Sequence, residues 1–425
     1  MITDSYIKRH VLANPQTLSI RAPKGLEDLV LEEVKGCFEF WTDRSTTLPT
    51  ESEKIKQITT EVIDNAIVVR EIPYRTAQNL TLHLGVARDI FLIIRDVRCG
   101  SIKELNEHFA KLDWPLYFKP NTMVAVRIDS FRSRIFHEGL IKESLAEALK
   151  KHKVSIHDRE QSSQFLEIKL NGNRLIISLS LAGQPLYKRG YKSSLKSVAS
   201  IKEDLANGAV TYALDWLRKK NAAFIPKTIY NPFAGSGTLA FECLSKMLGI
   251  APGHFRRVYG LESFPIFQDK SFEHEKRLIA KGVEPIVNTI PKVICVEKSK
   301  EQCTALKENA QHYFKALEHI DLKFSFQVLE VDFFMDQPES IDSLFLIANP
   351  PYGRRLEGSD EPEKLFEKIF KRVNNLKIQA GLIFIPDGVN INRCKGLLPG
   401  YQSHYRKISH GGLDVSMFVF AKESI

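Results

Sequence analysis

Hydrophobic positions change their period partway along this chain. In the first half, short alternating runs are interleaved with helical spacing. Leu18 to Arg21 reads as a strand, and Leu26, Leu29, Val30 and Val34 mark one face of a helix from Gly25 to Val34. The stretch from Leu48 to Gln57 is polar and breaks the pattern. A strand is predicted at Thr122 to Ile128, and Ile141, Leu145, Ala148 and Leu149 then recur at helical spacing. Phe165 to Leu170 and Leu175 to Leu181 flank Asn171-Gly172-Asn173. Both Asn and Gly tolerate positive φ, so the three elements read as a hairpin.

From Ile201 onward strands and helices alternate. Strands are predicted at Thr228–Tyr230, Val293–Val296, Phe324–Val331, Leu344–Ala348, Gly381–Ile385 and Val415–Ala421, with helices in most of the gaps. That order implies a mostly parallel sheet covered on both faces. Tyr405 to Ala421, broken by His410-Gly411-Gly412, reads instead as two antiparallel strands at one edge. Between the halves, Gln184 to Ser200 is rich in Lys, Ser and Gly and is expected to be a linker.

Composition narrows the class. A length of 425 residues exceeds one ordinary core, and two or three domains are expected. No run approaches the roughly 20 apolar residues of a membrane helix, and Met1 to His10 has no apolar signal core, so the protein is expected in the cytoplasm. Six cysteines stand far apart without a CxxC pair, which fits neither a zinc site nor a disulfide framework, and no metal is expected. The net charge of +9 is spread over both halves and favours a polyanionic partner without requiring one.

Two loops carry the candidate chemistry. Asn231-Pro232-Phe233-Ala234-Gly235-Ser236-Gly237-Thr238 joins a strand to a helix, where two glycines let the backbone approach a ligand and the helix N-terminus offers unpaired N–H groups. The Gly235-x-Gly237-x-x-Ala240 spacing fits a dinucleotide fingerprint as well as a methyl-donor loop, and an ordinary tight turn also satisfies it. Glu297 and Asp332 end successive predicted strands, placed to accept from ribose hydroxyls and from an adenine amino group, or else to cap turns.

The second loop, Asn349-Pro350-Pro351-Tyr352-Gly353, ends a continuous apolar strand, which is where open α/β sheets bind ligands. An aromatic amine is a poor nucleophile because its lone pair is delocalised into the ring. The Asn349 side-chain carbonyl and the Pro350 backbone carbonyl can each accept one N–H and favour a more tetrahedral nitrogen, while Tyr352 can stack on the base. Methyl transfer then depends on in-line alignment more than on a strong base. Basic residues interleave with aromatics at Arg127, Arg132 and Arg134 around Phe131. They do so again at Lys188, Arg189 and Lys192 with Tyr187 and Tyr191. Both groups are candidates for RNA contact or simply solvated basic faces.

These motifs resemble the THUMP-containing RNA methyltransferases, of the kind that methylate guanine N2 in bacterial large-subunit rRNA. Leu186-Tyr187-Lys188-Arg189-Gly190-Tyr191-Lys192 is similar to the family's signature after its RNA-binding region. Ser200 to Ala206, which contains Lys202, is similar to the helix start beside the cofactor. Asn231 to Thr238, Tyr259 to Ser263 and Asn349 to Leu356 match the glycine loop, the anchor of an insert and the catalytic stretch.

The resemblance implies a Rossmann-like class I methyltransferase at residues 201–425 using S-adenosyl-L-methionine. Upstream it implies an α+β ferredoxin-like region at 1–64, a THUMP RNA-binding region at 65–183 and a linker at 184–200. Lys202, Asn231, Phe233 to Thr238, Glu297, Asp332 and Asn349 would contact the cofactor, and Asn349 to Tyr352 would hold the amine. Asn231 and Glu297 both stand where Asp is usual. The implied product is N2-methylguanine in 23S rRNA. A tRNA guanine and a DNA adenine amine are the alternatives. A nicotinamide oxidoreductase built on the glycine turn would leave the Asn349 loop without a role.

Overall fold

The computed structural model describes residues 3–44, 55, 57–63, 65–158, 162, 164–192, 200–222, 224–281, 290–320, 323–338, 344–351 and 362–423. They divide into two compact units, and neither is continuous in sequence. The first comprises residues 1–22, 30–188 and 256–277, the second 23–29, 189–255 and 278–425.

The first unit holds β1 (Gln16–Arg21), β2 (Thr59–Ile63), β3 (Ala66–Ile72), β4 (Asp89–Arg98), β5 (Met123–Phe131), β6 (Ser155–Ile156), β7 (Gln164–Asn171) and β8 (Arg174–Ser180). They form one sheet in the order β2-β3-β1-β4-β8-β7-β5-β6. β5 runs parallel to β6 and β7, and the other pairs are antiparallel. The predicted hairpin is β7–β8, with Gly172 at φ 60° in its turn. Period-two alternation divides the faces. Leu18, Ile20, Leu92, Ile168 and Ile177 are buried on one side, while Arg21, Arg127, Lys169 and Arg174 occupy the other. Helices Tyr74–His83 and Glu138–Lys150 pack against β1 and β5.

Residues 256–277 complete this unit. The Arg256 guanidinium donates to the carbonyls of Ala182 (2.6 Å), Gln184 (2.7 Å) and Pro185 (2.9 Å), and Gln164 donates to Ser263 Oγ at 2.5 Å.

The second unit holds β9 (Thr228–Pro232), β10 (Lys292–Glu297), β11 (Phe326–Glu330), β12 (Leu344–Ala348), β13 (Ala380–Pro386), β14 (Tyr401–His410) and β15 (Leu413–Lys422), in the order β11-β10-β9-β12-β13-β15-β14. β9 to β13 are parallel. β15 runs antiparallel to both neighbours, so the expected two-stranded edge is present. Helix Pro362–Asn375 lays Phe366, Ile369, Phe370 and Val373 on β12, β13 and β15 through Leu346, Ile383 and Phe418. The predicted α/β class is the observed one.

A buried polar network anchors the start of this unit. Glu242, on helix Thr238–Leu248, accepts from Tyr191 Oη at 2.8 Å and from Asn207 Nδ2 at 2.9 Å, and Arg189 Nε lies 3.6 Å away. Burial, with Glu242 alongside, holds the Tyr191 phenol protonated far above its ordinary range. Replacing Glu242 with Ala removes the acceptor shared by Tyr191 and Asn207 and a carboxylate beside the buried Arg189, and should cost about 3–5 kcal/mol of stability, measured as a lowered midpoint of urea unfolding. An unshifted midpoint would show that the network carries no such weight.

Candidate active site

The glycine loop leaves β9 through a backbone that few side chains tolerate. Phe233, Gly235 and Gly237 take φ values of 54°, 52° and 83°. A Cβ on Gly237 would come within 2.8 Å of the Phe241 ring, whereas a Cβ on Gly235 would meet no atom within 4 Å. Gly237 is therefore fixed by packing and strain together. Gly235 instead leaves open space at the N-terminus of helix Thr238–Leu248. Ala234 N–H donates to the Val296 carbonyl at 3.1 Å and Asn309 Nδ2 to the Ser236 carbonyl at 3.0 Å, while Ser236 Oγ and Thr238 Oγ1 pair at 3.2 Å. Asn309, a buried amide on the inward face of helix Lys300–Ala316, was not singled out in the sequence. Its only signal there is a polar residue at an apolar helical position.

Glu297, at the end of β10, closes this loop from the other side. Oε2 accepts from Gly235 N at 2.9 Å and Oε1 from Ser299 N at 2.9 Å. Each oxygen retains acceptor capacity, so the carboxylate both shapes the loop and remains able to receive hydroxyls. Asp332 follows β11 and caps its own turn, accepting from Phe334 N at 2.9 Å. Phe333 and Phe334 of that turn pack on Phe233, with ring centroids 5.3 and 6.4 Å apart, so the ends of β9 and β11 meet in one aromatic cluster. Lys202 immediately precedes helix Glu203–Lys220, which packs along helix Thr238–Leu248.

Asn231 joins the two candidate loops. It is fully buried, and its Nδ2 donates to the Ile347 carbonyl at 2.7 Å, two residues before Asn349. That bond fixes the amide orientation, since a flipped side chain would set oxygen against oxygen. An aspartate carboxylate has no N–H for this bond, which gives the Asn at this position a physical reason. The Oδ1 atoms of Asn231 and Asn349 are both buried without a hydrogen-bond partner. Unpaired buried acceptors cost free energy unless a ligand donor meets them. Pro350 is buried and Pro351 half-buried at the same strand end. Tyr352 lies outside the described residues.

Open space beside Gly235, a helix N-terminus, a carboxylate at the next strand end and two unpaired amide oxygens form a donor and acceptor set that fits S-adenosylmethionine. Residues 189–391 match the family described as UPF0020, RMKL-like, methyltransferase domain. That segment is an RMKL-like methyltransferase domain. Among curated proteins, the chain is 27% identical over 339 residues to slr0064 of Synechocystis sp., covering 78% of this chain and 82% of that protein. It is 24% identical over 346 residues to the ribosomal RNA large subunit methyltransferase K/L of Methylococcus capsulatus, covering 79% of this chain and 42% of that protein. The chain thus spans less than half the length of the K/L relative. The solved structure of SMU.472 complexed with SAH shares the fold, with a TM-score of 0.73 at 18% identity over 96% of this chain and 98% of that one. The methyltransferase domain has the class I S-adenosylmethionine-dependent fold.

Around the methyltransferase domain, the structure separates the basic residues singled out in the sequence. Arg189 is only 2% exposed, beside Glu242, and Tyr191 is buried in the same network. Burial takes both out of reach of a phosphate or a base, which corrects the expectation that they contact RNA. Lys192 is tied to Glu203 at 3.2 Å, and Lys188 is exposed, donating to Gln184 at 3.0 Å. Arg132 and Arg134 are exposed, with the Arg132 guanidinium 5.0 Å from the Phe131 ring centroid. Arg127 lies on the polar sheet face of the first unit. Changing Asn231 to Ala should remove the tie between the two loops. The expected cost is about 1–3 kcal/mol in denaturant unfolding, with slower methyl transfer. A variant as stable and as active as the parent would show that the tie is dispensable.

Proposed function

We propose that the chain transfers one methyl group from S-adenosylmethionine to the exocyclic N2 amine of a guanine in large-subunit rRNA. The observation that carries the amine reading is the buried, unpaired Asn349 Oδ1 at the carboxyl end of β12, next to the glycine loop. The rRNA reading rests on relatives such as the K/L protein of Methylococcus capsulatus, together with the motif resemblance. On this reading residues 1–64 are ferredoxin-like and 65–183 a THUMP region, with a linker at 184–200. Arg127, Arg132, Arg134, Lys188 and Lys192 are RNA contacts.

When bound, S-adenosylmethionine supplies an already activated methyl on a sulfonium. The chain supplies position. Phe233 to Thr238 and Glu297 hold the cofactor, with Asp332 accepting from its base. Asn349 Oδ1 and the Pro350 carbonyl each accept one amine N–H, so the nitrogen lone pair is freed from the ring and aimed. Tyr352 stacks on the base. No residue need act as a strong base, because the methylated amine can lose its proton to water.

Two measurements test this. Labelled S-adenosylmethionine is incubated with undermethylated total RNA, and nucleosides of the size-separated products are analysed. Label in N2-methylguanosine from large rRNA is expected. Label in tRNA overturns the substrate, and label in N6-methyladenosine overturns the base as well. Changing Asn349 to Ala should abolish turnover while leaving cofactor affinity nearly intact, whereas changing Glu297 to Ala should weaken cofactor binding about tenfold or more by calorimetry. Near-normal turnover without the Asn349 side chain refutes its role.

A further inference from the structure

Asp332 stands after β11, and β11 is a weak foundation for a ligand-binding group. It is the outer strand of its sheet, paired only with β10, and none of its residues is fully buried. A strand with one neighbour and no buried side holds its end loosely. A carboxylate that is to accept one N–H must nevertheless be held within a narrow range of distance and angle. The position of the turn therefore has to come from the residues around it.

Two sets of bonds supply that position. Val331 N–H donates to the Glu297 carbonyl at 3.1 Å, which ties the strand end to β10. Inside the turn, the N–H groups of Met335 and Asp336 both donate to the Asp332 carbonyl, at 2.9 and 3.1 Å. Asp332 Oδ1 accepts from Phe334 N–H, which leaves Oδ2 able to accept from a ligand.

The far end of the turn is fastened to the interior. Asp336 is 8% exposed, although Met335 beside it is 73% exposed. Its Oδ2 accepts from Tyr230 Oη at 2.7 Å, and its carbonyl accepts from the Arg372 guanidinium on helix Pro362–Asn375. The N–H, the side chain and the carbonyl of Asp336 are thus all committed. Tyr230 is fully buried on β9, one residue before Asn231, and its ring centroid lies 6.3 Å from that of Phe333. One side chain of the central strand therefore meets the turn at two points. Burial, with the bond to Asp336, raises the Tyr230 phenol above its ordinary range, so it remains a donor.

We propose that Tyr230 and Asp336 are positioning residues for the cofactor site, clamping the turn after β11 to the central strand so that Asp332 Oδ2 is presented to the adenine amine. The proposal rests on the reading of Asp332 given above and adds what holds that carboxylate in place. A buried Tyr–Asp pair that only stabilised the core would affect every ligand of the site alike. A clamp on Asp332 affects only ligands that carry the amine.

The test compares S-adenosylhomocysteine with its analogue in which hydrogen replaces the adenine amino group, each titrated calorimetrically into the full chain. The parent should prefer S-adenosylhomocysteine by about tenfold or more, the value of one bond to a charged acceptor. Y230F and D336A should each weaken S-adenosylhomocysteine about tenfold and leave the analogue within about twofold of the parent. D336N keeps an acceptor for Tyr230 Oη and should retain the preference. D332A should lose it. Equal weakening of both ligands in Y230F and D336A overturns the proposal and leaves the pair a structural one. Preference kept in those variants but lost in D332A overturns the clamp and upholds Asp332 as the acceptor. Preference lost in them but kept in D332A upholds the clamp and refutes Asp332, while a parent without preference overturns both. No RNA enters the measurement, so its outcome is separate from the choice of methylated substrate.

Discussion

Parallel pairing on both sides of β9 is the constraint from which the second unit's chemistry follows. β10 and β12 flank β9 in the same direction, but the chain leaves for β10 and β11 on one side and for β12 and β13 on the other. Strand order reverses there, and the loops at the carboxyl ends must diverge, opening a crevice at that end of the sheet. Everything reactive-looking is gathered at this opening: the glycine loop after β9, Glu297 after β10, Asp332 after β11 and Asn349 after β12. Only a loop after β9 lies between Glu297 on one side and Asn349 on the other.

Divergent loops need ties, and the ties here are polar atoms inside an apolar layer. Asn231 bonds one strand end to the next, Glu297 bonds the glycine loop to the turn after β10, and Asn309 supports that loop from its helix. Such groups are costly when half satisfied. The two that remain unpaired, Asn231 Oδ1 and Asn349 Oδ1, are therefore more informative than the paired ones.

The second unit was far more legible in the sequence than the first. Leu344 to Ala348 is legible with its observed bounds, because a central parallel strand is apolar at every position and ends abruptly at Asn349-Pro350. Residues 59–110 carry little readable period, although they hold three strands and two helices. β2 is a polar edge strand with no buried side, and the bulge between Ile93 and Arg95 interrupts the alternation of β4. At the candidate site, motif spacing brought Asn231, the glycine loop, Glu297 and Asn349 together correctly as strand ends. It could not distinguish the buried Arg189 from the exposed Lys188 one position earlier, because both read as basic residues in a polar stretch. Burial depends on a partner, Glu242, 53 positions away.

The discontinuity of both units has a consequence for how the chain is made. During synthesis, the eight strands of the first sheet have all emerged once residue 180 is out, yet this unit still awaits residues 256–277. Until then the Ala182, Gln184 and Pro185 carbonyls lack the Arg256 guanidinium that later joins them. Meanwhile residues 189–255, which belong to the second unit, have already appeared. Folding from the ribosome cannot proceed as two finished beads in succession, and the first unit closes only after the second has begun. A gene cut at residue 188 would therefore encode a sheet without its closing piece, and expression of either unit alone calls for a graft rather than a truncation.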